Sequence, residues 1–146
     1  MDEIVHAGLI AARARGCWRG VLIQGPAGAG KSDLALRMID RGFRLVADDR
    51  VILWTCAGRL WGRAADTLAG LIEIRGLEVV RLNALPFAEI ALVVEAGTPD
   101  RIPDPDFSDI LGLRVPRIVL PLSESSAPAK LGRALSHFDG PGNRRI

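Results

Sequence analysis

Long apolar runs are missing from this sequence. No stretch approaches the roughly 20 residues a membrane-spanning helix needs, so no membrane partner is expected. The start, Met1-Asp2-Glu3, is acidic and carries no basic n-region, so a secretory signal is not expected and the expected location is the cytoplasm. Cysteine is scarce. Cys17 and Cys56 show neither metal-ligand spacing nor a disulfide framework, and are expected as small, buried or half-buried thiols of a reducing compartment. An excess of one charge is lacking too: the net charge of +2 is small and scattered, which gives no case for nucleic acid, and Arg144 and Arg145 read as a frayed tail. There is no internal repeat and no low-complexity segment. No Asn-Lys-x-Asp motif occurs, which disfavours a GTPase.

What is present is the length and balance of an ordinary globular chain. Its 146 residues, 49% apolar and 25% charged, can bury a real core and are expected as one domain, 1–146. The strongest signal is Gly25-Pro26-Ala27-Gly28-Ala29-Gly30-Lys31-Ser32, a complete G-x-x-x-x-G-K-[ST] phosphate-binding loop. Gly28 and Gly30, lacking Cβ, let the backbone take positive φ and turn successive N–H groups toward an anion. The helix that follows points its positive dipole end at the same anion. Lys31 can reach β and γ phosphates, and the Ser32 hydroxyl is placed for Mg²⁺. Context agrees: residues 20–24 read as a buried parallel strand. Residues 33–41 read as a helix with Leu34, Ala35, Met38 and Ile39 on one face, and Gly42 follows as its C-cap.

Residues 4–14 are ambiguous between strand and short helix. Strands are expected over 43–47, 51–56, 60–62, 88–95 and 115–121, with a turn at 57–59 and a short edge or loop-borne strand over 71–76. Residues 97–109, with three prolines and several charges, read as a mobile loop. A second helix is expected over 127–138. Strand outweighs helix after the first unit, so the expected fold is α/β with a mixed sheet of the phosphate-loop NTPase type. Trp18, Trp54 and Trp61 are read as core or edge packing.

A second constellation is Leu45-Val46-Ala47-Asp48-Asp49, an apolar strand ending in two carboxylates. Strand ends of this kind lie beside phosphate loops. Adjacent residues of an extended strand point to opposite faces, so the pair is expected to divide two tasks, one holding a Mg²⁺-bound water and the other accepting a proton from a hydroxyl nucleophile. Glu73 and Arg75, two apart and on one face if extended, suit a metal ligand beside a clamp for transition-state charge; a surface ion pair is an equal alternative. His6 stands alone and reads as structural on the residues themselves.

With these motifs in hand, the chain resembles the catalytic domain of HPr kinase/phosphorylase. The resemblance is carried by residues 25–32, by Arg41-Gly42-Phe43-Arg44-Leu45-Val46-Ala47-Asp48-Asp49-Arg50-Val51, by Leu71-Ile72-Glu73-Ile74-Arg75-Gly76-Leu77, and by Val115-Pro116-Arg117-Ile118-Val119-Leu120-Pro121. It implies a fold related to the phosphoenolpyruvate carboxykinases, in a compact form lacking the family's usual N-terminal domain. It implies ATP-dependent phosphorylation of a serine on HPr, the phosphocarrier of the sugar phosphotransferase system. It also implies the reverse phosphorolysis, using inorganic phosphate and releasing pyrophosphate. By the same resemblance Lys31 binds phosphate, Ser32 and Glu73 bind Mg²⁺, and Asp49 takes the serine proton with support from Asp48. His6 lies beside the carboxylates, Arg75 belongs to a stretch used in both reactions, and the assembly is a homo-hexamer. Where the family carries a catalytic arginine after Pro99, this sequence has Pro105, with Arg101 the nearest candidate. The family's basic loop after Pro121 reads here Leu122-Ser123-Glu124-Ser125-Ser126. Two other readings compete: a phosphate-loop kinase of a small metabolite, which would need a lid and acceptor pocket, and a non-catalytic ATP-sensing module, which would have no use for a base such as Asp49.

Overall fold

The computed structural model describes residues 2–139; the expectation for Arg144 and Arg145 lies outside them. The residues ambiguous in sequence resolve as one long strand, β1 (Glu3–Ala14). It turns through Arg15 and Gly16, both at positive φ, into β2 (Cys17–Gln24). The helix α1 (Lys31–Ile39) follows, then β3 (Arg44–Ala47), β4 (Arg50–Cys56) and β5 (Arg59–Ala64). A hairpin of β6 (Leu71–Ile74) and β7 (Glu78–Arg81) stands apart as a two-stranded sheet. Then come β8 (Ala88–Ala96), β9 (Asp106–Ile110), β10 (Leu113–Leu120) and α2 (Ala127–Asp139).

The main sheet runs β2-β1-β4-β5-β8-β10-β9, with β3 also on β1. Because β2 pairs with β8 as well, the strands β2, β1, β4, β5 and β8 close a circuit of hydrogen-bonded neighbours. β2, β8 and β10 are mutually parallel; the other pairings are antiparallel. The sheet is mixed, as its strand-rich second half suggests, but β2 is parallel on one side only.

Apolar side chains alternate between two cores along the central strands. On β1, Leu9 faces the inner cluster with Leu22, Val51, Leu53 and Val93, while Ile10 faces the helices. On the helix side, Val21, Ile23, Leu92 and Val94 meet Leu34, Ala35 and Met38 of α1 and Leu131 and Leu135 of α2. Burial on both faces is why β2 and β8 read as continuous apolar runs.

The differences from the sequence reading have local causes. The 97–109 segment contains a strand from Asp106 onward: β9 is an exposed edge whose polar residues hid its pairing to β10. β7 was missed because it pairs only with β6. Both cysteines are exposed, not buried. Each sits at a hairpin end, Cys17 after the Arg15-Gly16 turn and Cys56 before the Ala57-Gly58 turn, on the exposed tip of its strand pair. Trp54 and Trp61 are half-buried and meet Phe87 edge to face, centroids 6.4 and 5.9 Å away.

Candidate active site

The carboxyl ends of three parallel strands set the site. Gln24 of β2 stands opposite Glu95 of β8, and Ala96 opposite Leu120 of β10. Three connections therefore leave the sheet on one edge: residues 25–30, 97–105 and 121–126. Ligands of open α/β sheets bind at such an edge. Packing holds the connections together. A Cβ on Gly25 would stand 2.7 Å from the Ala96 Cβ, so this close approach requires glycine. The Gly97 N–H donates to the Leu120 carbonyl at 2.9 Å.

Within the 25–32 loop, Gly28 and Gly30 take φ of 82° and 98°, the left-handed values their lack of Cβ permits. Gly30 is the N-cap of α1 and provides no side-chain cap, so the first N–H groups of the helix stay available to an anion. Lys31 Nζ arches over the loop and donates to the Gly25 carbonyl at 2.7 Å and the Pro26 carbonyl at 3.2 Å. Pro26, Ala27 and Gly28 are exposed, and the loop opens to solvent. Two concavities of the described residues, about 550 and 240 Å³, lie elsewhere and include no residue of the loop.

The two aspartates are separated by the backbone, which corrects the expectation that strand pleating divides them. β3 stops at Ala47, and Asp49 is left-handed at φ 71°. β3 and β4 both run antiparallel to β1, pairing with its 9–11 and 3–6 stretches, so the Asp48-Asp49 turn is an interruption in one long ribbon. Such bulges re-aim side chains next to functional sites. Asp48 turns inward: it is the buried ionisable side chain among the described residues, 8% exposed. Its Oδ1 accepts the Ser32 hydroxyl at 2.7 Å, and its Oδ2 accepts the Glu73 N–H at 3.2 Å. Asp49 turns outward, its side chain 68% exposed, with Arg50 Nε 4.0 Å away.

β1 brings His6 into this neighbourhood. His6 pairs in register with Arg50, and the Ala7 N–H donates to the Asp49 carbonyl at 3.1 Å. Glu73 is on β6 with its side chain exposed. Arg75 lies beyond the end of β6 in the turn before Gly76 (φ 86°), so it does not share an extended face with Glu73. Arg101 is exposed on the 97–105 connection, and among the described residues no hydrogen bond or ion pair holds it. The structure thus joins Ser32 and the Glu73 N–H to Asp48, with Lys31 on the same loop as Ser32, while Asp49 and His6 are linked to this group through the main chain. Arg75 and Arg101 remain at the periphery.

Among the described residues, no group of three or more His, Cys, Asp or Glu is arranged to hold a metal. The Ser32 hydroxyl and the Asp48 carboxylate are in contact, and oxygens of this kind suit Mg²⁺, which takes one or two carboxylates and fills its shell with water and phosphate; Glu73 meets Asp48 through its N–H, with its own carboxylate exposed. One set of contacts escaped the sequence reading. Arg37, on α1, donates Nε to Asp33 at 3.0 Å, one terminal nitrogen to the Glu124 carbonyl at 3.2 Å and the other to the Leu122 carbonyl. Its only sequence signal was an acid four residues earlier.

The family model for the HPr Serine kinase C-terminal domain matches residues 4–135. The chain belongs to the HPr serine kinase C-terminal domain family. It is 38% identical over 132 residues to an HPr kinase/phosphorylase of Streptococcus sanguinis, covering 80% of this chain and 40% of the relative. It is 39% identical, again over 132 residues, to one of Limosilactobacillus reuteri, covering 80% and 39%. The chain thus spans about 40% of the length of these curated relatives. A solved structure of the Hpr(Ser) kinase/phosphatase from Coxiella burnetii superimposes with a TM-score of 0.79 at 27% identity, covering 94% of this chain and 96% of that one. The mixed α/β sheet is therefore that of the kinase family. No helix among the described residues is long and apolar enough to cross a membrane.

Proposed function

We propose that this chain is a Mg·ATP-dependent protein serine kinase domain acting on the phosphocarrier HPr, and that it runs the reverse phosphorolysis as well. The observation that carries the reading is the Ser32–Asp48–Glu73 link. One buried carboxylate ties the last residue of the phosphate loop to the Glu-Ile-Arg-Gly hairpin, next to an exposed second carboxylate. Lys31 and the helix N-terminus supply positive potential for the phosphates, and Ser32, Asp48 and Glu73 would hold Mg²⁺, which neutralises phosphate charge when bound.

Of the two aspartates, Asp49 suits the base. Both Asp48 oxygens already accept hydrogen bonds, while the Asp49 carboxylate projects to solvent where an incoming protein can reach it. As the serine oxygen bonds to the γ-phosphorus and the bridging oxygen leaves with ADP, the hydroxyl proton passes to Asp49. In phosphorolysis the proton returns to the serine oxygen as inorganic phosphate takes the phosphoryl group and leaves as pyrophosphate. Arg50 follows Asp49 and adds positive potential there, and His6 stands opposite Arg50 across the β1–β4 pair. Arg101, on a connection leaving the same sheet edge, is the cation available to cover the transferring group, and Arg75 lines the outer hairpin.

The kinship to the phosphoenolpyruvate carboxykinase fold, the reading of 1–146 as one catalytic unit, the homo-hexamer and a cytoplasmic location belong to this same proposal. It is tested by incubating the chain with γ-labelled ATP and HPr, with and without phosphate. Label on an HPr serine, and pyrophosphate released from phospho-HPr, are expected. No transfer to HPr by a chain that binds Mg·ATP would favour the ATP-sensing module.

A further inference from the structure

We propose that Arg37 is a positioning residue of the nucleotide crevice: it ties the 121–126 connection to the helix that carries Ser32. The proposal rests on reading the 25–32 loop as the nucleotide site. Arg37 lies on the short helix α1, five residues beyond Ser32. Asp33 accepts its Nε, which fixes the guanidinium plane and leaves both terminal nitrogens facing the 121–126 connection. Those nitrogens meet the carbonyls of Leu122 and Glu124, residues more than eighty positions away. A planar fork holds three nitrogens in fixed positions and so meets Asp33 and two carbonyls at once; an ammonium offers its donors from a single point on a flexible stem.

The tied connection lies against the loop itself. Leu122 is buried in the helix-side core, and its Cβ would stand 3.8 Å from a Cβ on Gly30, the residue before Lys31. The far end of the connection is fixed to α2, where Lys130 donates to Glu124 at 2.7 Å and the Ala127 N–H donates to the Glu124 carbonyl at 3.1 Å. Arg37 thus closes the bracket from the α1 side, and the wall formed at the carboxyl end of β10 keeps its distance from the phosphate loop. An ordinary i,i+4 surface pair would need only Asp33. The two carbonyl contacts exceed that role.

The test compares Arg37→Ala and Arg37→Lys with the unaltered chain, by amide hydrogen exchange, calorimetric binding of Mg·ATP and thermal unfolding. In Arg37→Ala, exchange at 122–126 should accelerate about tenfold or more while the amides of β2 and β8 keep their protection. Mg·ATP should bind roughly three- to tenfold more weakly at a nearly unchanged Tm, because the site is loosened without loss of core packing. Arg37→Lys can keep the pair with Asp33 yet should recover little of the affinity, since a single nitrogen replaces the three that Arg37 spreads over Asp33, Leu122 and Glu124. Unchanged exchange at 122–126 in Arg37→Ala, or faster exchange with unaltered Mg·ATP affinity, would overturn the proposal. If the unaltered chain itself failed to bind Mg·ATP, the nucleotide reading would fall and the crevice role with it, a result distinct from variants that bind as well as the parent.

Discussion

Replacing Asp48 by alanine should destabilise the fold as well as stop the reaction, and the two effects can be measured separately. The buried carboxylate accepts from the Ser32 hydroxyl and the Glu73 N–H. Hydrogen bonds to a charged acceptor contribute about 1.5–3 kcal/mol each, and the loss is felt mainly as donors left without partners. Ser32 is only half-buried, so its hydroxyl can rotate toward water and recover part of its share. The Glu73 N–H is fixed by the β6 backbone and cannot. A net loss of about 2–4 kcal/mol follows, which for a chain of this size lowers Tm by roughly 5–15 °C. Urea unfolding followed by circular dichroism should show a lower midpoint at unchanged m, the mark of lost stability without altered compactness. Asp48→Asn should fall between parent and alanine, because its carboxamide oxygen serves one donor while its NH₂ confronts the other. Ser32→Ala with Asp48→Ala closes a double-mutant cycle, with a coupling of about 1–3 kcal/mol expected for contacting partners. A midpoint for Asp48→Ala equal to that of the parent, or a vanishing coupling, would refute the view that this carboxylate joins the loop to the β6 hairpin.

The remaining expectations concern the chemistry and one ion pair. Asp49→Asn should keep Mg·ATP affinity but lower phosphoryl transfer to HPr by roughly 10²–10⁴-fold, the usual loss of a general base; equal losses of affinity and rate would make Asp49 a metal ligand instead. Lys31→Ala should abolish turnover, the loss of an electrostatic clamp costing on the order of 3 kcal/mol or more in the transition state, and near-full activity would end the phosphate-loop assignment. Arg101→Ala should cut transfer well beyond about twofold with stability unmoved, as an exposed residue supports little of the fold; unchanged kinetics would remove it from the site. The hydrogen bond from Lys130 holds the Glu124 carboxyl below its ordinary 4.5, so the pair's contribution is present above that value and fades as pH falls through the lowered one. Lys130→Gln should move the Glu124 titration seen by NMR back upward, and an unmoved midpoint would deny the pairing.

The parts of this molecule legible in its sequence are those whose signal is local. The 25–32 loop needs particular residues at fixed offsets because it shapes its own backbone, and the helix after it shows its buried face through Leu34, Ala35 and Met38. The runs that became β2, β8 and β10 are buried by neighbours whatever their order, so their apolar character survives in one dimension. β1 was ambiguous because its identity as a strand comes from its neighbours, β2, β3 and β4 along its edges and the helix-side core above it. β7 and β9 carry little apolar signal because each has one partner and one exposed side. Cys17 and Cys56 were misplaced for a related reason: composition says how often a thiol is buried, while a hairpin end decides whether anything is there to bury it.

The division of labour between the aspartates shows where reading by residue type reaches its end. Two adjacent carboxylates after an apolar strand suggest separate roles, but the sequence offers alternation along a pleat as the only way to separate them. The structure uses a different device. β1 holds the β3–β4 ribbon on both sides of the interruption, the Ala7 N–H captures the Asp49 carbonyl, and the Arg50 N–H closes on the Asp48 carbonyl at 2.8 Å. These main-chain bonds, made with no contribution from either carboxylate, force Asp49 into the left-handed region and turn Asp48 beneath the loop. Aspartate tolerates that conformation better than most side chains. The same residue type therefore meets two demands, a buried acceptor at 48 and a left-handed, exposed carboxylate at 49. Which position meets which demand is fixed by a strand some forty residues earlier in the chain.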